Sequence, residues 1–189
     1  AIACMMACMV FDDRKNILLD PFVGTGTVLI EALMENIDVL GSDIDPLAVK
    51  GTKQNLEWLR GEYKIEATSK VMMFDVTKIP PQKNLVQYIV TEPFLGKPRP
   101  NPSKLPFIFK GLAKMYLGAF KHWRKLLADN AVVVIVFPVV TIKNRNGKII
   151  EYNLDKLIDK LSALGYTTLS KPILYHRPNA VVQRQIYRF

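Results

Sequence analysis

Short apolar segments alternate with longer amphipathic segments along most of the chain. Apolar runs of about four to eight residues are typical of buried strands, and apolar positions spaced about three to four apart are typical of helices. The pattern predicts strands over residues 16–22, 38–44, 70–74, 85–90 and 131–137, and a closing pair over 167–174 and 181–189. It predicts helices over residues 27–36, 46–60, 108–127 and 154–164. This alternation predicts an α/β fold with right-handed crossovers between parallel strands.

Composition restricts the class of protein. With 189 residues, 49% of them hydrophobic, the chain has the size and makeup of one packed domain. The longest apolar run, residues 131–140, is too short for a membrane helix of about 20 residues and contains Pro138. The two cysteines, Cys4 and Cys8, have the spacing of one helix face, which indicates packing in a reducing compartment, and we expect the cytoplasm. His122 and His176 have no metal-ligand or triad spacing, so we expect structural or surface roles and no metal.

The positive charge is concentrated in one segment. The chain has 26 basic and 17 acidic residues, a net charge of +9, but residues 93–128 contain eight basic residues and no acidic one. A localised excess of this kind is typical of a surface that binds a polyanion. Lys97, Arg99 and Lys104 lie in a predicted loop and are the favoured contacts for a nucleic acid. The other five fall on one side of the predicted helix, where a solvated surface explains them equally well: Lys110, Lys114, Lys121, Arg124 and Lys125.

A glycine-rich turn follows the first predicted strand, at residues 20–27 (Asp-Pro-Phe-Val-Gly-Thr-Gly-Thr). It has no Gly-Lys-Ser/Thr, which a phosphate-binding P-loop requires. A dinucleotide fingerprint requires a third glycine where Leu29 stands, so a bound pyrophosphate is disfavoured. The remaining candidate is a nucleoside ligand without phosphates.

Acidic residues follow the next two predicted strands. Asp43 ends the second strand, where a carboxylate can accept hydrogen bonds from both ribose hydroxyls. Asp75 ends the third, where it could accept from an adenine amino group. Other interpretations stay open: Asp20 could cap its turn, Asp75 could be an ordinary turn residue, and Asp45 before Pro46 is expected to cap a helix.

Together these segments resemble motifs I to IV of class I S-adenosylmethionine-dependent methyltransferases. The matching segments are residues 20–27, residues 41–45 (Gly-Ser-Asp-Ile-Asp), Asp75 and residues 91–94 (Thr-Glu-Pro-Phe). Within that class the chain resembles enzymes that methylate exocyclic amino groups, above all the RNA methylase group that includes tRNA guanine-N2 methyltransferases. Residues 175–178 and 182–186 resemble that group's closing strands. The resemblance implies one Rossmann-like domain over residues 1–189, with a seven-stranded, mostly parallel sheet, an antiparallel last strand and helices on both faces.

The resemblance also implies the cofactor site. S-adenosylmethionine would lie with its methionine part against Gly24 and Gly26, and Asp20 would help to hold its amino group. Asp43 would bind the ribose and Asp75 the adenine. The full set of implied cofactor-binding residues is Asp20, Phe22, Gly24, Thr25, Gly26, Asp43, Ile44, Asp75 and Val76.

The fourth motif departs from the family pattern, which is Asp or Asn, Pro, Pro and an aromatic residue. Phe94 can stack on a base and Pro93 can expose the preceding carbonyl, but the acceptor position holds either Thr91 or Glu92. Counting back from Pro93 selects Thr91, whereas allowing for the extra Leu95 before Gly96 selects Glu92. We favour Glu92 because an ionised carboxylate accepts hydrogen bonds more strongly than a hydroxyl.

The predicted function is therefore methylation of an exocyclic amino group in RNA, with guanine N2 of tRNA favoured. Adenine-N6 methylation of DNA or RNA, glutamine methylation of a protein, and a non-catalytic cofactor-binding or RNA-binding module with a degenerate loop remain alternatives. The family's tRNA enzymes usually carry an N-terminal RNA-binding domain, and none is visible here. The sequence starts at Ala1 without an initiator Met, so we expect a segment to have been cut away upstream. The RNA-binding domain is removed, absent or on a separate chain.

Overall fold

The computed structural model describes Met6 and residues 16–80, 82, 85–143, 148–176 and 178–189. The helix face predicted around Cys4 and Cys8 lies outside these residues. The strands are β1 (Ile17–Asp20), β2 (Asp38–Asp43), β3 (Ser69–Met73), β4 (Val86–Thr91), β5 (Leu127–Lys143), β6 (Ile149–Tyr152), β7 (Ile173–Tyr175) and β8 (Val182–Arg188). The helices are α1 (Thr27–Met34), α2 (Pro46–Glu62), α3 (Leu105–Trp123) and α4 (Asp155–Ser162), with a 3₁₀ turn at Pro102–Lys104.

The chain divides into two compact units. The first unit contains the described residues up to Thr91 together with His122–Ile135. The second contains Glu92–Lys121 and Val136–Phe189. Strand β5 runs through both, so each unit is described with its own part of that strand.

The first unit contains a parallel sheet in the order β3-β2-β1-β4-β5. Leu19 pairs with Leu40 of β2 on one side and with Ile89 of β4 on the other. Both faces of these central strands are covered, and Leu18 and Ile89 have no exposed surface. Such burial explains why the strands have nearly continuous apolar sequences. Parallel strands bring their carboxyl ends to one edge of the sheet, which is where the turns after β1, β2 and β3 lie.

The second unit begins its sheet with the remainder of β5. Strand β6 pairs antiparallel with β5 in a register that starts at Val140 and Tyr152. Strand β8 lies beside β5, and β7 pairs antiparallel with β8, with Tyr175 opposite Arg184. The core of this unit contains many aromatic side chains. The rings of Phe120 and Tyr166 pack edge to face, with their centroids 4.8 Å apart. Edge-to-face pairs of this kind add stability beyond the area that they bury.

These observations confirm the predicted fold class, a mostly parallel α/β sheet with antiparallel strands at its C-terminal end. Seven strands follow the order β3-β2-β1-β4-β5-β8-β7, and β6 is an additional eighth strand that pairs with β5. The predicted end of β5 at residue 137 was wrong. Proline cannot donate a ladder hydrogen bond, which suggested a stop at Pro138, but the pairing with β6 begins only beyond it, at Val140.

Helix α3 begins and ends a few residues before its predicted bounds, and its two faces are as expected. Its apolar side is buried, with Leu112, Tyr116, Ala119 and Trp123 at most 5% exposed. The five basic residues predicted for the other side, from Lys110 to Lys125, are all exposed. The spacing of the apolar residues thus predicted correctly which face of this helix is buried.

Candidate active site

The turn after β1 is anchored by a buried carboxylate. Asp20 is 2% exposed, and its Oδ1 accepts hydrogen bonds from the Phe22 N–H at 3.1 Å and from the Thr91 hydroxyl at 2.6 Å. A buried carboxylate is tolerated only when it is well hydrogen-bonded. Asp20 therefore caps its own turn, as one interpretation predicted, and also joins the ends of β1 and β4.

Glycine is required in this turn for reasons that the structure makes specific. Gly24 and Gly26 have φ values of 53° and 82°, in the left-handed region that favours glycine. A Cβ at position 26 would lie 2.7 Å from Thr52 Cγ2. The Thr52 hydroxyl donates to the Gly24 carbonyl at 2.8 Å, and the Asn55 side chain donates to the Thr25 carbonyl at 2.8 Å. Two side chains of helix α2 thus hold the turn through its carbonyl groups.

Asp43 stands at the end of β2 and contacts the same turn. Its Oδ2 accepts from the Gly24 N–H at 3.0 Å, and its Oδ1 accepts from the Asp45 N–H at 3.0 Å. Each carboxylate oxygen can accept a further hydrogen bond, so these contacts orient the group and leave it able to bind hydroxyls. The next residue, Ile44, is 70% exposed and offers an apolar surface beside the carboxylate. Asp45 is the predicted helix cap, accepting from the Leu47 N–H at 2.9 Å.

Asp75 follows β3 and forms a tight turn with Thr77. Its Oδ1 accepts from the Thr77 N–H at 2.9 Å and from the Thr77 hydroxyl at 2.8 Å. These hydrogen bonds, the backbone one above all, lower the pKa of Asp75. Val76 is buried beside it. The group is therefore a fixed, ionised acceptor at the strand end, where an adenine amino group was predicted to bind.

Of the fourth motif, Thr91 belongs to the first unit and the other three residues to the second. Thr91 is fully buried, and its hydroxyl donates to Asp20. In the second unit Pro93 is buried, whereas Phe94 is 61% exposed. The Phe94 carbonyl accepts from the Tyr116 hydroxyl at 2.7 Å. Burial, together with the charge of Glu92, raises the pKa of Tyr116, so this hydroxyl remains a donor at all ordinary pH values.

Glu92 is held by an arginine from β8. Both Nε and Nη2 of Arg184 lie 2.7 Å from Glu92 Oε1. The side chains are partly buried, with 16% of Arg184 and 28% of Glu92 exposed. Charge-assisted pairs with two short contacts are among the stronger hydrogen bonds in proteins. The loop after β4 is consequently fixed at two points, at Glu92 by Arg184 and at Phe94 by Tyr116.

A cavity of about 400 Å³ opens in the second unit beside this ion pair. One wall is formed by Leu95, Gly96, Pro98 and Arg99 of the loop after β4. The other wall is formed by residues 178–182 and by Arg184. Of the three loop residues predicted to contact RNA, Arg99 lines the cavity, while Lys97 and Lys104 are exposed nearby in sequence. The size is suitable for a nucleobase or another small ligand.

Comparison with known proteins identifies the family of the chain. The family described as UPF0020, RMKL-like methyltransferase domain, matches residues 1–99. The chain belongs to this family. The predicted resemblance to S-adenosylmethionine-dependent methyltransferases is thereby confirmed at the level of the family.

Curated relatives of this RMKL-like domain come from archaea. One, from Methanothermococcus thermolithotrophicus, is named "Probable tRNA (guanine(10)-N2)-dimethyltransferase" and is 35% identical over 101 residues, which cover 52% of this chain and 62% of the relative. Another, a tRNA (guanine(10)-N2)-dimethyltransferase from Methanothermobacter thermautotrophicus, is 52% identical over 40 residues, covering 21% of this chain and 12% of the relative. The chain thus spans less than two thirds of either relative.

Solved structures support the fold. TrmN from Thermus thermophilus superposes with a TM-score of 0.68 at 16% identity, over 99% of this chain and 47% of the other. A tRNA (uracil-54, C5)-methyltransferase from Pyrococcus abyssi, in complex with S-adenosyl-L-homocysteine, gives a TM-score of 0.63 at 14% identity, over 99% of this chain and 36% of the other. These neighbours confirm a Rossmann-like methyltransferase fold.

The structure brings together part of what the sequence predicted. Residues 20–26 and Asp43 meet directly, through the hydrogen bond from Gly24, and the ends of β2 and β3 are joined by a hydrogen bond from the Phe74 N–H to the Asp43 carbonyl. Thr52, Asn55, Tyr116 and Arg184 were not predicted. Thr52 had a sequence signal, because it is a polar residue in the buried stripe of Val49, Leu56 and Leu59.

Among the described residues, no group of three His, Cys, Asp or Glu side chains could hold a metal ion, and no helix is long and apolar enough to cross a membrane.

Proposed function

We propose that this domain transfers a methyl group from S-adenosylmethionine to the exocyclic amino group of a base in RNA, with guanine N2 of tRNA as the target. The observation that carries the proposal is the Glu92 carboxylate, which is paired with Arg184, a residue that lines a base-sized cavity. The names of the two archaeal relatives support the choice of guanine in tRNA. The reducing cytoplasm predicted from the cysteines would be its location.

The residues of the first unit fit the cofactor. The turn at Gly24 and Gly26 offers backbone without side chains, Asp43 offers a carboxylate for the ribose, and Ile44 offers an apolar surface for the adenine. Asp20, Phe22, Thr25, Asp75 and Val76 complete the set that would hold the ligand. When bound, S-adenosylmethionine supplies a methyl group on a positively charged sulfur.

Glu92 would prepare the target nitrogen. The lone pair of an exocyclic amino group is delocalised into the base, so the nitrogen is a poor nucleophile. A carboxylate that accepts a hydrogen bond from the amino group favours tetrahedral geometry, and positioning of this kind supplies much of an enzyme's rate. The nitrogen becomes acidic once it is alkylated, so Glu92 need not remove a proton beforehand. Thr91 is less suited to this task because its hydroxyl is buried and donates to Asp20.

The remaining loop residues would bind the RNA. The exposed ring of Phe94 is available to stack on a base, and Pro93 can leave the preceding carbonyl without a partner N–H. The exposed basic residues Lys97, Arg99 and Lys104 are available to phosphates. An additional RNA-binding domain, on the same chain or on a partner, would supply further affinity.

The test is transfer of tritium from methyl-labelled S-adenosylmethionine into total RNA, total DNA or total protein, followed by digestion and identification of the labelled product. We expect N2-methylated guanosine from the RNA. Labelled N6-methyladenosine or methylglutamine would instead support the alternative substrates. Binding of the cofactor without transfer to any polymer would support a non-catalytic module.

A further inference from the structure

Arg184 has more hydrogen-bond donors than its contact with Glu92 uses. A guanidinium carries five N–H donors. One of them, on Nε, donates to Glu92 Oε1, and the Nη2 group lies 2.7 Å from the same oxygen as an ion-pair contact. Within the described part of the chain, the remaining donors have no hydrogen-bond partner. Only 16% of this side chain is exposed, but its unpartnered nitrogens are not fully enclosed, so a ligand can reach them.

The same side chain lines the cavity of the second unit. A partly buried donor without a partner costs free energy, which a ligand with an acceptor atom would recover. On the Glu92 side, Oε1 accepts from Nε and contacts Nη2, and Oε2 has no hydrogen-bond partner among the described residues. Arg184 lines the cavity and Glu92 does not, but their ion pair sets the acceptor Oε2 next to the donors that the guanidinium offers to the cavity.

This donor and acceptor arrangement matches the edge of guanine. Guanine presents a carbonyl acceptor, O6, beside the donors N1–H and N2–H₂. We propose that Arg184 is a specificity-determining residue, which donates to O6 of the target guanine while it holds Glu92 toward the two donors. The inference rests on the proposed function and adds the residue that would select the base.

A purely structural role for Arg184 makes a different prediction. If Arg184 only fixed Glu92, its replacement would slow transfer to every substrate by the same factor. If Arg184 reads O6, replacement would slow transfer only to substrates that offer a good acceptor there. The ratio of kcat/KM for two substrates that differ only at O6 separates these roles.

The experiment uses the RNA nucleotide mapped by the tritium assay, synthesised with either guanosine or 6-thioguanosine at that position. Sulfur is a weak acceptor, and 6-thioguanosine keeps both donors for Glu92. We expect the parent protein to prefer guanosine by roughly tenfold, the scale of one weakened charge-assisted hydrogen bond. In Arg184→Gln the preference should shrink to about twofold or less, while the affinity for S-adenosylmethionine stays unchanged.

Two further variants serve as controls. Lys171→Gln removes one positive charge from an exposed position outside the cavity and should keep the full preference. Arg184→Lys keeps the charge beside Glu92 but loses the planar guanidinium, so it should also lose the preference for guanosine over 6-thioguanosine. This variant takes the place of Arg184→Gln if Arg184→Gln unfolds at a lower temperature than the parent protein.

The outcomes are distinct. An unchanged preference in both Arg184 variants, with equal losses for the two RNAs, would overturn the assignment, as would a parent protein that does not discriminate. Absence of transfer to unmodified RNA would instead overturn the proposed function on which the assignment rests.

Discussion

The two units of the molecule assemble their polar groups in different ways. In the first unit several contacts of the turns join backbone N–H groups to carboxylates, with Gly24 and Asp43 19 residues apart and Asp75 and Thr77 two apart, although the Thr91 hydroxyl reaches Asp20 across 71 residues. In the second unit they join side chains and carbonyls from distant segments, with Glu92 and Arg184 separated by 92 residues. The contacts proposed for the cofactor therefore depend mainly on turns, whereas those proposed for the substrate depend on how distant strands are arranged.

This difference predicts how mutations should partition. Changes in the turns of the first unit should alter affinity for S-adenosylmethionine and leave RNA binding intact. Changes in the second unit should alter turnover or RNA binding and leave cofactor affinity intact. Variants in each unit show whether the effects divide in this way.

The largest effect is expected at Glu92. Glu92→Gln keeps the shape of the side chain but removes the charge that accepts from the amino group, so turnover should fall by roughly 10² to 10³. Single-turnover methylation of RNA measures the loss, and calorimetry should show cofactor affinity within about twofold of the parent. Glu151→Gln, at an exposed position of β6, is the matched control and should be fully active. Full turnover in Glu92→Gln, with loss in Thr91→Val, would reassign the acceptor to Thr91.

The next effect is expected in the first unit, at Asp43. Asp43→Ala removes the proposed ribose acceptor, and S-adenosylmethionine binding should weaken by roughly 1.5 to 3 kcal/mol. Asp45→Ala is a close control, because that acid caps α2 and should cost about 1 kcal/mol of stability without changing cofactor affinity. Calorimetry and thermal unfolding measure the two quantities. Parent-like affinity in Asp43→Ala would remove this residue from the cofactor site.

Stacking should give a comparable or smaller effect in the second unit. Phe94→Ala removes the exposed ring of the loop, and RNA methylation should lose about 1 to 3 kcal/mol in kcat/KM, the scale of one base stacked on an aromatic ring. Phe107 is 77% exposed on α3 and provides the control, since Phe107→Ala removes an equally accessible ring outside the loop. Equal losses in the two variants would show that exposure of aromatic surface, and not the loop, is what matters.

The contrast between the units also explains what the sequence could predict. The strand, turn and helix at residues 17–34 and the cap at Asp45 were predictable because each is specified by residues adjacent in the chain. The buried stripe of α3 was predictable from its spacing for the same reason. Strand β6 was missed because four residues, Ile-Ile-Glu-Tyr, are too few to show alternation, and the strand is defined by its pairing with β5.

The partners of the loop after β4 were beyond prediction for a related reason. In the sequence Arg184 is one of two charged residues on a closing strand, and only the pairing of that strand brings it to Glu92. Tyr116 reads as a core residue, which it is, and its hydroxyl contact with Phe94 depends on the path of the loop. Side-chain contacts between distant segments follow from tertiary topology, which the periodicity of a single sequence does not contain.

The smallest expected effect concerns the basic residues of the second unit, and it tests which of its two basic surfaces faces RNA. Replacing Lys97 and Arg99 together by Gln should weaken RNA binding and reduce the slope of log Kd against log salt by about 1.5, since each lost phosphate contact contributes about 0.7 to 0.9. The matched control replaces Lys114 and Lys121 on α3 by Gln, which removes the same charge from another exposed surface. We expect that control to change the slope by less than half as much, because a solvated helix face makes no phosphate contacts. A larger change in the control than in the loop variant would move the RNA path from the loop to α3 and would assign the loop basics to solubility alone.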